Sequence, residues 1–245
     1  VDNVVRPKLG NDSWVNQIEQ AILSLDVMPS MRAMMTSGAA LDRDNTAGYN
    51  CSYLPVDDPK SFDEAMFILL CGTGVGFSVE RQFIQQLPEV PELFESETMI
   101  VVKDSKEGWA KAYRQLLALL WAGEIPKWDV SRVRPAGARL KTFGGRASGP
   151  APLVELFNFT VTTFKLAQGR KLSSMECHDL MCFIGQIVVV GGVRRSAMIS
   201  LSNLSDDRMR HAKSGQWWET APQMALSNNS VCYTDKPDGE TFLRE

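Results

Sequence analysis

Gln186-Ile-Val-Val-Val-Gly-Gly-Val-Arg-Arg-Ser-Ala-Met-Ile-Ser-Leu-Ser-Asn203 holds two apolar runs separated by Gly191, Gly192, Arg194, Arg195 and Ser196. The first run reads as the end of a buried helix and the second as a strand, so the stretch is a buried scaffold presenting a loop. Glycine allows positive φ and close approach of the backbone to a ligand, and guanidinium forks suit phosphate oxygens. By itself the loop is equally compatible with a plain helix-to-strand connection whose arginines are solvated.

Working outward, two long helices are expected over 151–167 and 173–188, delivering the chain to the loop. After the loop come a strand over 196–201, a short helix over 206–213 and a strand over 230–233. Upstream, 16–25 reads as a helix capped by Asp12 or Ser13, 28–47 as an ordered loop and 51–56 as a short strand. Ser61-Phe-Asp-Glu64 is a capping box opening a helix to Leu70, followed by Gly72-Thr-Gly-Val-Gly76 and a strand over 77–80. Here the glycines follow a helix and open a strand, the reverse of a dinucleotide-binding turn. Residues 88–97 read as a surface excursion, 98–103 as a strand and 105–122 as an amphipathic helix. Alternating strands and helices define an α/β chain with mostly parallel neighbours.

The 245 residues, 44% apolar, are enough for a packed core. The apolar runs Ala65–Cys71 and Ile187–Val190 are far short of the roughly 20 residues that span a bilayer, and no membrane partner is expected. A net charge of −3 argues against a general nucleic-acid surface. Between Lys127 and Arg146, however, six basic residues face the single acid Asp129. The five cysteines, Cys51, Cys71, Cys177, Cys182 and Cys232, lack the spacing of a secreted disulfide scaffold, so a reducing cytoplasm is the expected setting. Cys177 and Cys182 do not share a helix face, and no metal site is expected around His178. His178 and His211 read as surface or helix residues, and Trp217 and Trp218 as packing.

Four ordered motifs carry a family resemblance: Asn50-Cys-Ser52, Gly72-Thr-Gly-Val-Gly-Phe-Ser78, Lys141-Thr-Phe-Gly-Gly-Arg-Ala-Ser-Gly-Pro150 and Gly191 through Asn203. Together they resemble the adenosylcobalamin-dependent ribonucleoside-triphosphate reductases, the monomeric class II ribonucleotide reductases, from about Met28 to Tyr233. The resemblance implies the first half of a ten-stranded α/β barrel, with strands near Cys51, Phe77, Phe143, Ile199 and Val231. It further implies a division into 1–80 as the start of the half-barrel, 81–135 as an inserted effector-binding region, and 136–245 as the continuation bearing the specificity loop.

By that resemblance the activity is reduction of ribonucleoside triphosphates to 2′-deoxyribonucleoside triphosphates. A cobalamin-initiated thiyl radical abstracts the 3′ hydrogen, and a cysteine pair reduces the 2′ carbon. Cys51 is implied as one member of that pair, its partner lying outside this chain. Substrate contacts are implied at Ser30, Ser37, Gly38, Asn50, Gly191, Gly192, Arg194, Arg195 and Ser196. Effector contacts are implied at Lys141, Gly144, Gly145, Arg146 and Ser148. Adenosylcobalamin, deoxynucleoside triphosphate effectors and thioredoxin or a similar dithiol are the implied cofactor and partners, and the complete protein is expected to be a monomer. The family's Asn-x-Cys-x-Glu pattern for the thiyl cysteine is absent, so this partial chain is not expected to turn over substrate alone. A nucleotide-binding regulatory module without chemistry is the competing reading.

Overall fold

The computed structural model describes residues 5–139, 146–190 and 198–244. It divides into two compact units, Val1–Asn50 and Cys51–Glu245.

The first unit is helical: α1 Arg6–Leu9, α2 Asp12–Leu23, α3 Met31–Thr36, α4 Ala39–Arg43 and a 3-10 turn at Asn45–Gly48. The cap of α2 is Asn11, one residue before the positions expected, its side chain accepting the Ser13 and Trp14 N–H groups. The stretch 28–47, expected as loop, coils into short helices. The α3 helix is made possible by Ser30, which caps it, and by an unbroken Met-Arg-Ala-Met-Met run of good helix formers.

The second unit is built on a four-stranded sheet of order β1-β2-β5-β6, comprising β1 Cys51–Pro55, β2 Gly74–Ser78, β5 Met198–Asn203 and β6 Ser227–Cys232. Every pairing in it is parallel. These are four of the five strands expected of the half-barrel; the one placed near Phe143 lies outside the described residues.

Helices α5 Lys60–Leu70 and α9 Ser174–Val190 cover one sheet face. Gly185 lets α9 come close: a Cβ there would stand 2.3 Å from Met198 Cε. On the covered side Leu54, Val75, Phe77 and Ser200 are buried. On the other side Cys51 is exposed, as are Tyr53 at 55% and Ile199 at 47%. All-parallel sheets are normally covered on both faces, so this face is unfinished within the chain.

Between β2 and α9 runs a layer of α6 Arg81–Ile84, β3 Phe94–Val101, α7 Lys106–Trp121, β4 Glu124–Asp129 and α8 Ala151–Leu166. Strands β3 and β4 pair in parallel around α7, a βαβ unit. The helices α7 and α8 pack against α5 and α9 through Tyr113, Leu116, Leu117, Leu153, Leu156 and Phe157, all buried. Tyr113 and Thr160 share a hydroxyl hydrogen bond at 3.1 Å. Arg114 binds the buried Asp63 of α5 at 2.8 Å. The segment 88–97 is not simply surface: Val90 is buried, exchanging backbone hydrogen bonds with Gly169 and Arg170 at 2.9 and 3.0 Å. Short α10 Asp207–Arg210, α11 Trp217–Thr220, a 3-10 turn at Pro222–Leu226 and, beyond β6, α12 Gly239–Arg244 complete the unit.

Candidate functional site

Parallel register decides which residues share an edge. Cys51 is the first residue of β1 and pairs with Gly74, the first of β2. Met198, which opens β5, pairs with Val75 on one side and with Ser227, the first residue of β6, on the other. Residues 191–197 immediately precede β5 in the sequence, and β5 begins at the same amino edge as Cys51. Gly191, Gly192, Arg194, Arg195 and Ser196 themselves lie outside the described residues, as do Lys141, Gly144 and Gly145.

Cys51 faces the open side of the sheet. Residues two apart on a strand share a face, so Tyr53 stands on the same side, and its ring lies beside Gly76, where an added Cβ would be 3.7 Å away. Burial raises the Tyr53 phenol above its ordinary value, against the opposing hydrogen bond with Ser78. Cys177 and Cys182 are buried, and desolvation pushes both well up, holding them as protonated thiols.

The remaining expected contacts divide by unit. In the first, Ser30 and Ser37 sit at the two ends of α3: the Ser30 hydroxyl accepts from the Ala33 N–H at 3.1 Å, and the Ser37 hydroxyl donates to the Ala33 carbonyl. Gly38 follows at φ 96°, a conformation that suits glycine. Asn50 accepts a hydrogen bond from Arg32 of α3, so these residues are tied to one helix. In the second unit, Arg146 forms an antiparallel bridge with Arg139 and donates to the Gly137 carbonyl at 3.0 Å. Ser148 donates to the Gly149 carbonyl at 3.0 Å.

Two features escaped the sequence reading. His178, on helix α9 and so within the expected surface or helix setting, is fully buried: its Nε2 lies 3.2 Å from Asn229 Oδ1 on β6 and 3.6 Å from Cys182 Sγ, one helical turn on. Its partner comes from a strand 51 residues away, which no local pattern reveals. Lys213 reaches the amino edge, donating to the Ser227 carbonyl with its ammonium 5.5 Å from the Trp217 ring centre. Desolvation lowers its pKa. The adjacent Trp217-Trp218 pair was the available signal; Trp217 pairs edge-on with Trp218, which stays 55% exposed. Among the described residues no group of three or more His, Cys, Asp or Glu side chains is placed to hold a metal ion, and no helix is long and apolar enough to cross a membrane.

The fold is that of the class II ribonucleotide reductases: the chain superimposes on a crystal structure of a B12-dependent (class II) ribonucleotide reductase with a TM-score of 0.75, at 24% identity, over 88% of this chain and 37% of that one. Sequence comparison points the same way. Residues 80–163 match the family model described as the insertion domain of B12-dependent ribonucleotide reductase. The adenosylcobalamin-dependent ribonucleoside-triphosphate reductase of Lactobacillus helveticus (strain DPC 4571) is 27% identical over 94% of this chain and 39% of its own length. The enzyme of that name from Lactobacillus leichmannii is 32% identical over 69% of this chain and 27% of its own length. The chain is thus a partial relative of the B12-dependent ribonucleotide reductases, spanning well under half the length of either enzyme.

Proposed function

We propose that this chain supplies the first half-barrel, with its inserted region, of a reductase that converts ribonucleoside triphosphates to 2′-deoxyribonucleoside triphosphates. The observation that carries the reading is the position of Cys51. It stands exposed at the amino edge of an unfinished parallel sheet, the same edge at which β5 begins with Met198. A thiol there meets the ribose of a substrate held between this sheet and the remainder of the complete protein.

In the proposed reaction Cys51 and a second thiol outside this chain give two electrons and two protons to the substrate. The 2′ hydroxyl leaves as water and the thiols become a disulfide, which thioredoxin or a similar dithiol reduces. Adenosylcobalamin, bound mostly by residues outside this chain, supplies the radical chemistry that activates the 3′ position. Arg194 and Arg195 contact phosphate or base, Gly191 and Gly192 give the loop its freedom, and Ser30, Ser37, Gly38, Asn50 and Ser196 complete the substrate contacts. Lys141, Gly144, Gly145, Arg146 and Ser148 serve a deoxynucleoside triphosphate effector. An effector that favours one of two loop arrangements changes which base fits. The assignment of 1–80, 81–135 and 136–245 to half-barrel, effector-binding insertion and half-barrel continuation, a monomeric complete protein and a cytoplasmic setting belong to the same reading.

The test is Cys51→Ser in the complete protein. Nucleotide affinity is expected to stay within about twofold while dithiol-coupled multiple turnover disappears. Undiminished turnover would refute the assignment.

A further inference from the structure

A cavity of the second unit lies at the opposite end of the sheet from Cys51. It is an open depression of about 850 Å³ at the carboxyl ends of β2 and β5, within the range of small-molecule sites. Open α/β sheets bind ligands in the crevice outside their strands' carboxyl ends. One strand of five residues, about 16 Å, separates this edge from that of Cys51.

The charges around the cavity separate into committed and uncommitted groups. Arg170 is held by Glu176 through two hydrogen bonds of 2.7 and 2.8 Å, and Asp207 is paired with Arg210. The Glu176 carboxyl also accepts from the N–H and hydroxyl of Ser173, each at 2.8 Å, so it has little capacity left for a ligand. With those pairs set aside, Arg81, Lys171 and Arg208 face Asp206 alone. Asp206 is itself occupied, accepting from the Ser174 hydroxyl and capping the Met209 N–H at 3.3 Å. Among the described residues Lys171 touches only a neutral acceptor, the Gln85 carbonyl at 2.6 Å. Arg81 and Arg208 have no acidic partner among the described residues. Beneath these cations Leu172 is buried and Ile84 half-buried, giving an apolar floor.

We infer that this cavity binds a phosphate-bearing small molecule at a site separate from that of Cys51. Two guanidiniums and an ammonium bind phosphoryl oxygens, and the Ile84–Leu172 floor takes an apolar ring or sugar face when the ligand carries one. A free polyphosphate and a nucleoside polyphosphate share the recognised chemistry and differ only in use of the floor. The inference stands apart from the reductase reading, because it concerns binding and needs no turnover.

The experiment is amide hydrogen exchange on the complete protein with sodium triphosphate in one arm and a nucleoside triphosphate in the other. Saturable protection is expected over 168–176 and 205–210, weakening as salt is raised. Arg81→Ala with Arg208→Ala should weaken it by at least about tenfold, whereas Arg194→Ala with Arg195→Ala should leave it unchanged. The charge-preserving pair Arg81→Lys and Arg208→Lys should fall between, with thermal unfolding showing that each variant folds. Tighter binding of the nucleotide identifies a nucleoside phosphate as the ligand, and equal binding a free polyphosphate. Absence of protection in both segments, or protection indifferent to the double alanine variant, overturns the site.

Discussion

At Glu176 two opposing effects meet on one carboxyl. Burial pushes its pKa up, but hydrogen bonds from Arg170 and from the Ser173 N–H and hydroxyl outweigh that and hold it at about 2, against an ordinary 4.5. Because the folded value is the lower one, the carboxylate stabilises the fold above pH 4.5 and loses that contribution as pH falls from 4.5 toward 2. Arg170 is about half exposed, so solvent screening reduces the contribution to about 1–2 kcal/mol. Glu176→Gln should therefore lower stability by about that amount at pH 7, with the gap from wild type narrowing below pH 4.5. Urea unfolding of both proteins across that range checks it; a pH-independent gap would mean that the hydrogen bonds act without the charge. The loop arginines allow a second test at this scale. Arg194→Ala or Arg195→Ala in the complete protein should shift the ratios among the four ribonucleotide substrates or their response to effectors by about tenfold, the scale of one lost charged hydrogen bond. Unchanged ratios count against the specificity assignment.

At the scale of elements, α7 shows how a close approach overrides intrinsic preference. Ser105 caps the helix by accepting the Gly108 N–H at 2.9 Å, and a Cβ on Gly108 would stand 2.4 Å from the Lys103 carbonyl oxygen. Alanine is the better helix former by about 1 kcal/mol, yet the clash is with backbone, which cannot swing aside as a side chain can. Gly108→Ala should destabilise by about 1–3 kcal/mol in urea unfolding, and a gain in stability would show that the segment around Lys103 yields. The helices α7 and α9 were legible in the sequence to within two residues, because the apolar stripe of α7 and the long apolar run of α9 are local signals. Strand β4 was not: Glu124-Ile-Pro-Lys-Trp-Asp129 contains a proline and alternating charges, and it is a strand only because β3 pairs with it. Likewise β3 begins at Phe94 within a run of glutamates, where tertiary pairing and not composition decides. The partners of His178 on α9 were not legible for the same reason, its environment being assembled by Asn229 and the Phe77 ring at 6.1 Å from two different strands.

For the whole molecule, the open sheet face is the strongest constraint. Cys51, Tyr53 and Ile199 stand on it, while α5 and α9 cover the reverse. Within this chain Ile199 is 47% exposed, and a polar substitution at such a position ordinarily changes stability by less than about 0.5 kcal/mol. If a second half-sheet closes over the face in the complete protein, Ile199 becomes a core residue, and an aspartate there is a buried, unpaired charge. Ile199→Asp in the complete protein should then cost about 3 kcal/mol or more, or prevent soluble accumulation, while Asn158→Asp on α8, exposed and away from the sheet, serves as the charge-matched control. Thermal unfolding and soluble yield of the two variants distinguish the cases. Equal and small effects would mean that the face stays open to water, leaving Cys51 without the enclosed surroundings that radical chemistry on a ribose requires.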